Sequence, residues 1–339
     1  MIILIIRNDY SKTTTLKVKF MTNIKDLAKM ANVSVSTVSR VLNNHPYVKE
    51  EKRLAVLEAI KKCNYQQNIN AVHLSKGKTQ LVGVVLPFTD LPYFGQLLKG
   101  IANQALEHNY KLIIFQTNYI ESRELEALQM LKQKQIDSLI ICSRTCNLAL
   151  IQEYLSYGPI VLCEKVEDTH LAATFVNHYQ TFMKALDYLY EKGHRRIGYT
   201  LGRKTGTNSH ERQSAYADFI KKYQLPNNPD YIITGCYHLE DGSQVVQSIQ
   251  AMSEPPSALL VTSDQVAAGI VAYCQNQQIA IPDELALIGF DNQPIAKMLG
   301  ITTIEIPIEE IGKNLFLQAI NEEISSIEME AKLIERGTV

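Results

Sequence analysis

Short apolar runs alternate with amphipathic stretches along most of this chain, and few architectures accept that alternation. The apolar runs, read as strands, are 81–86, 111–116, 138–142, 160–163, 173–176, 197–201, 231–234, 258–261 and 285–289. Helical periodicity fills stretches between them, at 94–108, 121–134, 181–192, 212–223 and 266–276. Strands that are apolar throughout are buried on both faces, and strand–helix repetition predicts a mostly parallel, doubly wound sheet. The runs are too many for one compact sheet. Two α/β subdomains side by side are expected, with a cleft between them.

The stretch before residue 80 has a different pattern. Ile24, Leu27, Ala28 and Ala31 fall on one face of a short helix capped by Thr22 or Asn23. Asn32-Val33-Ser34 follows, and asparagine tolerates the left-handed backbone that a tight helix–helix turn requires. Ser34 caps a second helix to Leu42, with Val38, Val41 and Leu42 inside and Val35, Ser36, Ser39 and Arg40 outside. Asn43-Asn44-His45-Pro46 breaks the chain. A third helix is expected from Lys49 to Lys62, with Leu54, Leu57 and Ile60 inside. This is a helix-turn-helix unit. Small side chains at the start of the second helix let it sit deep in a major groove. There serine bonds either type of base, valine meets a thymine methyl and arginine suits guanine or phosphate.

Charge is distributed unevenly. Residues 22–78 hold ten Lys/Arg against four Asp/Glu, and residues 1–20 hold four against one. The whole chain is at −1, so the remainder carries a surplus of ten acids. A basic head on an acidic body points the head, and not the body, at a polyanion.

The stretch from Asn23 through Ala28, Val33-Ser34-Val35-Ser36-Thr37-Val38-Ser39-Arg40 and on to Asn43, with the later Leu57-Glu58-Ala59-Ile60 to Tyr65, resembles the head of the LacI/GalR family of bacterial regulators. The body resembles that family's periplasmic-binding-protein-like sensor at Val82-Gly83-Val84, at 193–198, at Gly289-Phe290-Asp291 and at 335–338. The resemblance implies that Val35, Ser36 and Arg40 read bases. It implies that Ser34, Thr37, Ser39, Asn43, Asn23 and Tyr47 hold the helix and the DNA backbone. It also implies a short hinge helix at 68–74 that wedges into the minor groove, where Asn68, Ala71 and Leu74 match the pattern. Gln67 stands in place of the usual proline there, and Val72 in place of a polar residue. A helix of under two turns is not stable alone and forms only when docked; the alternative is a flexible linker. Three crossings of the chain between the subdomains are implied as well.

An effector pocket is expected in the cleft at the strand C-termini. Tyr93 and Phe94 follow the first strand and supply an aromatic wall, although Phe94 equally suits core packing. By the resemblance, Arg212 is the arginine that clamps ligand and Asp264 holds ligand hydroxyls; a helix cap is the other reading of Asp264. For Asp291 a ligand role and a structural one both stand. Asn177-His178 departs from the family's common Asp-Asn and puts Asn177 on one wall without charge. Arg144, Lys165, Arg203 and Lys204 lie in or near loops close to the cleft. A sugar acid or phosphorylated sugar and ordinary solvated charge are both open readings of them.

The organisation expected is residues 1–21 as a disordered tail or a start misassigned ahead of Met21, 22–66 as the DNA-binding head, 67–79 as hinge and linker, and 80–339 as the effector-binding and dimerisation domain. The last divides at roughly 80–178 with 305–330, against 179–304 with the C-terminal strand. No apolar run is long enough to span a bilayer, which places the chain in the cytoplasm. The six cysteines have no Cys-x-x-Cys pair and the histidines are scattered, so reduced thiols and no metal site are expected. No nucleophile elbow, phosphate loop or dinucleotide fingerprint is present, so neither an enzyme nor a cofactor is expected. The function expected is a homodimeric regulator, a repressor by occlusion, controlled by a small carbohydrate-type effector. The alternatives are an activator and a solute-binding protein without a DNA role.

Overall fold

The computed structural model describes residues 23–66, 77–167, 170–321 and 324–339. The first twenty-two residues and the hinge positions Asn68, Ala71 and Leu74 lie outside them. The chain divides into two compact units, residues 1–77 and 78–339.

The first unit holds α1 (Ile24–Met30), α2 (Val35–Leu42) and α3 (Glu50–Cys63). Of the two candidate caps for α1, Asn23 does the work within the described residues. Its Oδ1 accepts from the Lys25 and Asp26 amides at 2.9 and 3.1 Å, and Asp26 accepts from the Asn23 amide at 3.1 Å. This reciprocal capping box satisfies amides that the helix itself cannot. The turn uses Asn32 at φ 50°, in the left-handed region. Ser34 Oγ then accepts from the Thr37 amide at 3.2 Å and bonds the Ser36 and Thr37 hydroxyls at 2.8 and 2.9 Å. Ser34→Ala is expected to lower head stability by about 1 kcal/mol. Thermal unfolding of the variant measures this, and an unshifted head transition would remove Ser34 from the capping role.

The small core of the head is Leu27, Ala28, Ala31, Val38, Val41, Val56 and Ala59. The face expected of α3 needs correction. Leu54 is 58% exposed and Leu57 48% exposed, whereas Val56 and Ala59 are buried and Ile60 is half-buried. Positions 56, 59, 60 and 63 share one helical face, and 54 and 57 lie on the opposite one. The small residues face inward because three short helices around so small a core approach closely.

The second unit contains two six-stranded sheets. In chain order its elements begin β1 (Leu81–Leu86), α4 (Pro92–Glu107), β2 (Lys111–Gln116), α5 (Glu121–Lys132), β3 (Ser138–Ile141), α6 (Leu148–Gln152), β4 (Ile160–Leu162) and β5 (Ala172–Val176). There follow α7 (His178–Glu191), β6 (Ile197–Leu201), α8 (Thr207–Tyr223), β7 (Ile232–Thr234), α9 (Asp241–Gln250), β8 (Ala258–Leu260), α10 (Asp264–Gln277), β9 (Ala286–Asp291), α11 (Pro294–Met298) and β10 (Thr303–Glu305). The chain closes with α12 (Ile308–Asn321), β11 (Ser326–Met329) and β12 (Lys332–Ile334).

One sheet has the order β11-β5-β4-β3-β1-β2 and the other β12-β10-β9-β8-β6-β7. Every pairing is parallel except β12 on β10. The chain therefore passes from the first sheet to the second after β5, returns after β10 and passes over again after β11. Each sheet reverses its strand order once, at β1/β3 and at β6/β8. In open parallel sheets the crevice outside the strand C-termini at such a reversal is where ligands bind. The strands β10 and β11, with the helices α6, α9, α11 and α12, carry no sequence expectation above. They are short, or their polarity is mixed because partners cover one face only.

α12 joins the first subdomain through α4. A Cβ at Gly100 would collide with the Glu309 carbonyl, and one at Gly312 with the Leu97 carbonyl, so glycine at both positions permits backbone-to-backbone approach. This pair carries the crossing segment back onto the first sheet and fixes one wall of the cleft.

Candidate functional site

Two surfaces present side chains suited to binding. The first is the outer side of α2. Val38 and Val41 turn inward, which leaves Val35 (41% exposed), Ser36 and Arg40 in solvent. Asn43 closes the helix, its Nδ2 donating to the Ser39 carbonyl at 2.9 Å. Tyr47 is 87% exposed in the following loop, which Arg53 ties down by donating from Nη2 to the His45 carbonyl at 2.8 Å. Thr37 and Ser39 are half-buried at the edge of the same face. An exposed valine and tyrosine among short polar residues form a surface with an apolar contact and several donors.

The second surface is a cavity between the two sheets. The start of α4 contributes Tyr93 and Phe94, the end of β3 Cys142 and Ser143, and the start of α7 His178. From the other sheet come Arg203 after β6, Arg212 on α8, Thr262 and Ser263 after β8, and Asp291 and Gln293 at the end of β9. Nearly all sit where strands end, because there the backbone leaves the sheet and side chains are free to converge.

The half-buried Arg212 and the buried Asp291 are its charged centre. Arg212 Nη2 donates to His178 Nδ1 at 3.3 Å, which requires a neutral imidazole protonated on Nε2. Burial, and then the neighbouring Arg212, keep His178 well below its ordinary range, so it stays neutral. The guanidinium stands 4.9 Å from the centre of the Phe290 ring, and His178 stacks on the same ring at 6.0 Å. Arg212 Nε is buried without a hydrogen-bond partner. Asp291 holds φ at 98°, a conformation rarely adopted by residues other than glycine, and its Oδ2 accepts from Gln293 Nε2 at 3.1 Å.

Asp264 is not part of this wall. Its carboxylate is fully buried and accepts from the Gln293 amide at 2.7 Å and from Thr303 Oγ1 at 2.6 Å. It ties the start of α10 to β9 and β10, and a Cβ on Gly289 would strike it. The cap of α10 is Ser263 and not Asp264. Asn177 also turns away from the cavity, capping α7 by accepting from the Gln180 amide at 3.0 Å. Its neighbour His178 takes the place on the wall. Of the four basic loop residues, Arg203 faces the cavity, Arg144 bonds across the cleft, and Lys165 and Lys204 are exposed outside the lining.

The two subdomains touch through these arginines. Arg144 pairs with Glu164 on its own side and donates from Nη2 to Thr207 Oγ1 on the other at 3.0 Å. Arg203 donates in the opposite direction, to Ser143 Oγ at 3.1 Å and the Arg144 carbonyl at 3.0 Å. Its guanidinium lies 3.8 Å from the Tyr119 ring centre, and Phe88 bridges Tyr119 and Tyr237 edge to face. This aromatic group, of which Tyr119 and Tyr237 line the cavity, was not singled out in the sequence. Its members come from loops far apart in the chain, and only the positions after strand ends could have marked them.

Burial pushes Asp291 up to about 7, with Asp264 adding to the effect and Arg212 opposing it. Burial likewise pushes Asp264 up to about 6. A carboxyl whose folded value lies above its unfolded one holds its proton more tightly when folded, so stability falls as pH rises between 3.8 and about 7. The thermal midpoint of the unliganded protein is expected to fall across that window, and Asp291→Asn to flatten the slope. Equal slopes in the two proteins would contradict this assignment.

The comparisons with known proteins agree with this geometry. The family described as "Bacterial regulatory proteins, lacI family" matches residues 23–68. The family described as "Periplasmic binding proteins and sugar binding domain of LacI family" matches residues 79–336. The uncharacterized HTH-type transcriptional regulator YkvZ of Bacillus subtilis is 42% identical over 94% of this chain and 100% of its own length. Catabolite control protein B of the same organism is 33% identical over 94% and 100%. A crystal structure of the Lac repressor dimer bound to operator and the anti-inducer ONPF has a TM-score of 0.78, with 19% identity over 94% of this chain and 98% of that one. No helix among the described residues is long and apolar enough to cross a membrane. With a helix-turn-helix head and a two-sheet cleft domain, the chain belongs to the LacI family of DNA-binding bacterial regulators.

Proposed function

We propose that this protein is a cytoplasmic homodimer that represses transcription by occupying a near-palindromic operator, each head reading one half-site through α2. Val35, Ser36 and Arg40 contact bases, and Asn23, Ser34, Thr37, Ser39, Asn43 and Tyr47 hold the helix and the phosphate backbone. A small sugar-type effector occupies the cleft, where Arg212 and Asp291 grip it against Tyr93 and Phe94. The observation that carries the reading is the outer face of α2, which keeps an exposed valine and arginine beside small hydroxyls over a buried valine seam. A solvated structural helix gains nothing from that valine.

Effector binding alters the closure of the cleft, and the coupling is reciprocal: whatever the effector does to operator affinity, the operator does to effector affinity. The test is binding of the full-length protein to genomic fragments over a series of salt concentrations. Phosphate contacts make affinity fall steeply with salt, and Arg40→Ala is expected to weaken the preferred fragment by about 1–3 kcal/mol. Absence of salt-dependent binding to any fragment would overturn the proposal.

A further inference from the structure

The loop between α2 and α3 is organised around the backbone of one residue, His45. Asn44 before it turns left-handed at φ 51°. The Asn44 amide donates to the Val41 carbonyl at 3.0 Å, and the His45 amide donates to the Arg40 carbonyl at 2.9 Å. This pair of bonds closes the last turn of α2, the turn that carries Arg40. The His45 carbonyl accepts from Arg53 Nη2 on α3 at 2.8 Å. His45 therefore joins the end of one helix to a side chain of the next. Tyr47 depends on it as well. The Tyr47 amide donates to His45 Nδ1 at 3.4 Å, and the two rings stand 5.7 Å apart with the tyrosine exposed.

Arg53 differs from its basic neighbours. Its side chain is 21% exposed, against 67% for Lys62 on the same helix. Its Nε faces Glu50 at 3.7 Å. A guanidinium that bonds a carbonyl and faces a carboxylate has part of its charge met inside the protein, which leaves less for a phosphate. The core beneath is one leucine among valines and alanines. Such small side chains form shallow ridges, so packing alone fixes the angle between helices weakly. A charge-assisted bond from α3 to the end of α2 supplies the missing constraint.

We propose that Arg53 is a positioning residue for DNA recognition: through the His45 carbonyl it sets the last turn of α2 and the Tyr47 ring, and it makes no phosphate contact of its own. The inference rests on the reading of α2 as the surface that meets DNA, and it adds a residue to which that reading gives no part.

The test separates positioning from phosphate contact. The full-length parent, Arg53→Met, Arg53→Lys, Tyr47→Ala and the double variant Arg53→Met with Tyr47→Ala are titrated over a salt series against two probes. One probe is the genomic fragment the parent prefers, and the other is sheared duplex DNA of unrelated sequence. Arg53→Met keeps the apolar stem, and the thermal midpoint of the head verifies that it is folded; a head unfolded at the assay temperature moves the double variant to Arg53→Lys. Arg53→Met is expected to weaken the preferred fragment about tenfold, the size of one hydrogen bond to a charged group, and the unrelated duplex much less. Its salt slope should match that of the parent. Arg53→Lys returns the charge without the planar donors and should recover only part of the loss. Tyr47→Ala should weaken the parent and add little once Arg53 is replaced, because the ring is already misplaced. A slope smaller by about 1, with equal losses on both probes, identifies a phosphate contact and refutes the proposal. Strict additivity of the two substitutions refutes it too, as does parent-like affinity of Arg53→Met or Tyr47→Ala. Each of these results leaves the reading of α2 standing. A parent that binds neither probe at any salt concentration removes both.

Discussion

Leu27→Ala is expected to abolish operator binding while the sensor unit stays folded. Leu27 is fully buried in the head core, whose remaining members are alanines and valines. Truncating a buried leucine costs about 2–5 kcal/mol, and a small domain with one modest core has little more than that in total. Calorimetry should show the head transition lost or moved far down and the transition of the 78–339 unit unchanged. Operator affinity should fall by orders of magnitude. Leu57→Ala is the control, because that side chain is half in solvent; its effect should stay within about 0.5 kcal/mol. If the two leucines proved equally costly, the face assigned to α3 would be wrong.

Arg212→Ala is the second large effect, and it is opposite in kind. Operator binding is expected to survive and the response to effector to disappear. Removing the guanidinium leaves Asp291 buried without its opposing charge and takes away a charged donor group that lines the cavity. Truncating one member of a buried charged pair at a binding site costs about 2–5 kcal/mol of affinity, which is roughly thirtyfold to several thousandfold. Arg212→Lys keeps the charge but loses the planar donor set and the contact with Phe290, so it should recover only part of the binding. The measurement is effector-dependent release of operator, together with the ligand-induced rise in thermal midpoint. A variant that responds like the parent would remove Arg212 from the site.

Asp264 and Asp291 show where reading the sequence stops short. Both follow a strand, both are acidic and both were candidates for the ligand. The structure separates them through Thr303, a residue on β10 that the sequence did not mark as part of a strand. It accepts no ligand role for the Asp264 side chain, because both carboxylate oxygens are already bonded inside the protein. The same limit applies to Asn177, whose side chain is spent on its own helix. His178 next to it reaches the cavity only because α7 packs against the second sheet beside Phe290.

By itself the sequence determined the three head helices, the cap at Ser34, the left-handed turn at Asn32 and the strand–helix alternation of the body, and it narrowed the first cap to Thr22 or Asn23. These features are encoded within a few consecutive residues, by periodicity and by backbone preference. Tertiary structure alone decided which face of α3 is buried, how β10, β11 and β12 thread between the sheets, and which side chains meet in the cleft. Those outcomes depend on groups tens or hundreds of residues apart, such as Asp264 with Thr303 or Gly100 with Glu309, and no local pattern carries the distance between them.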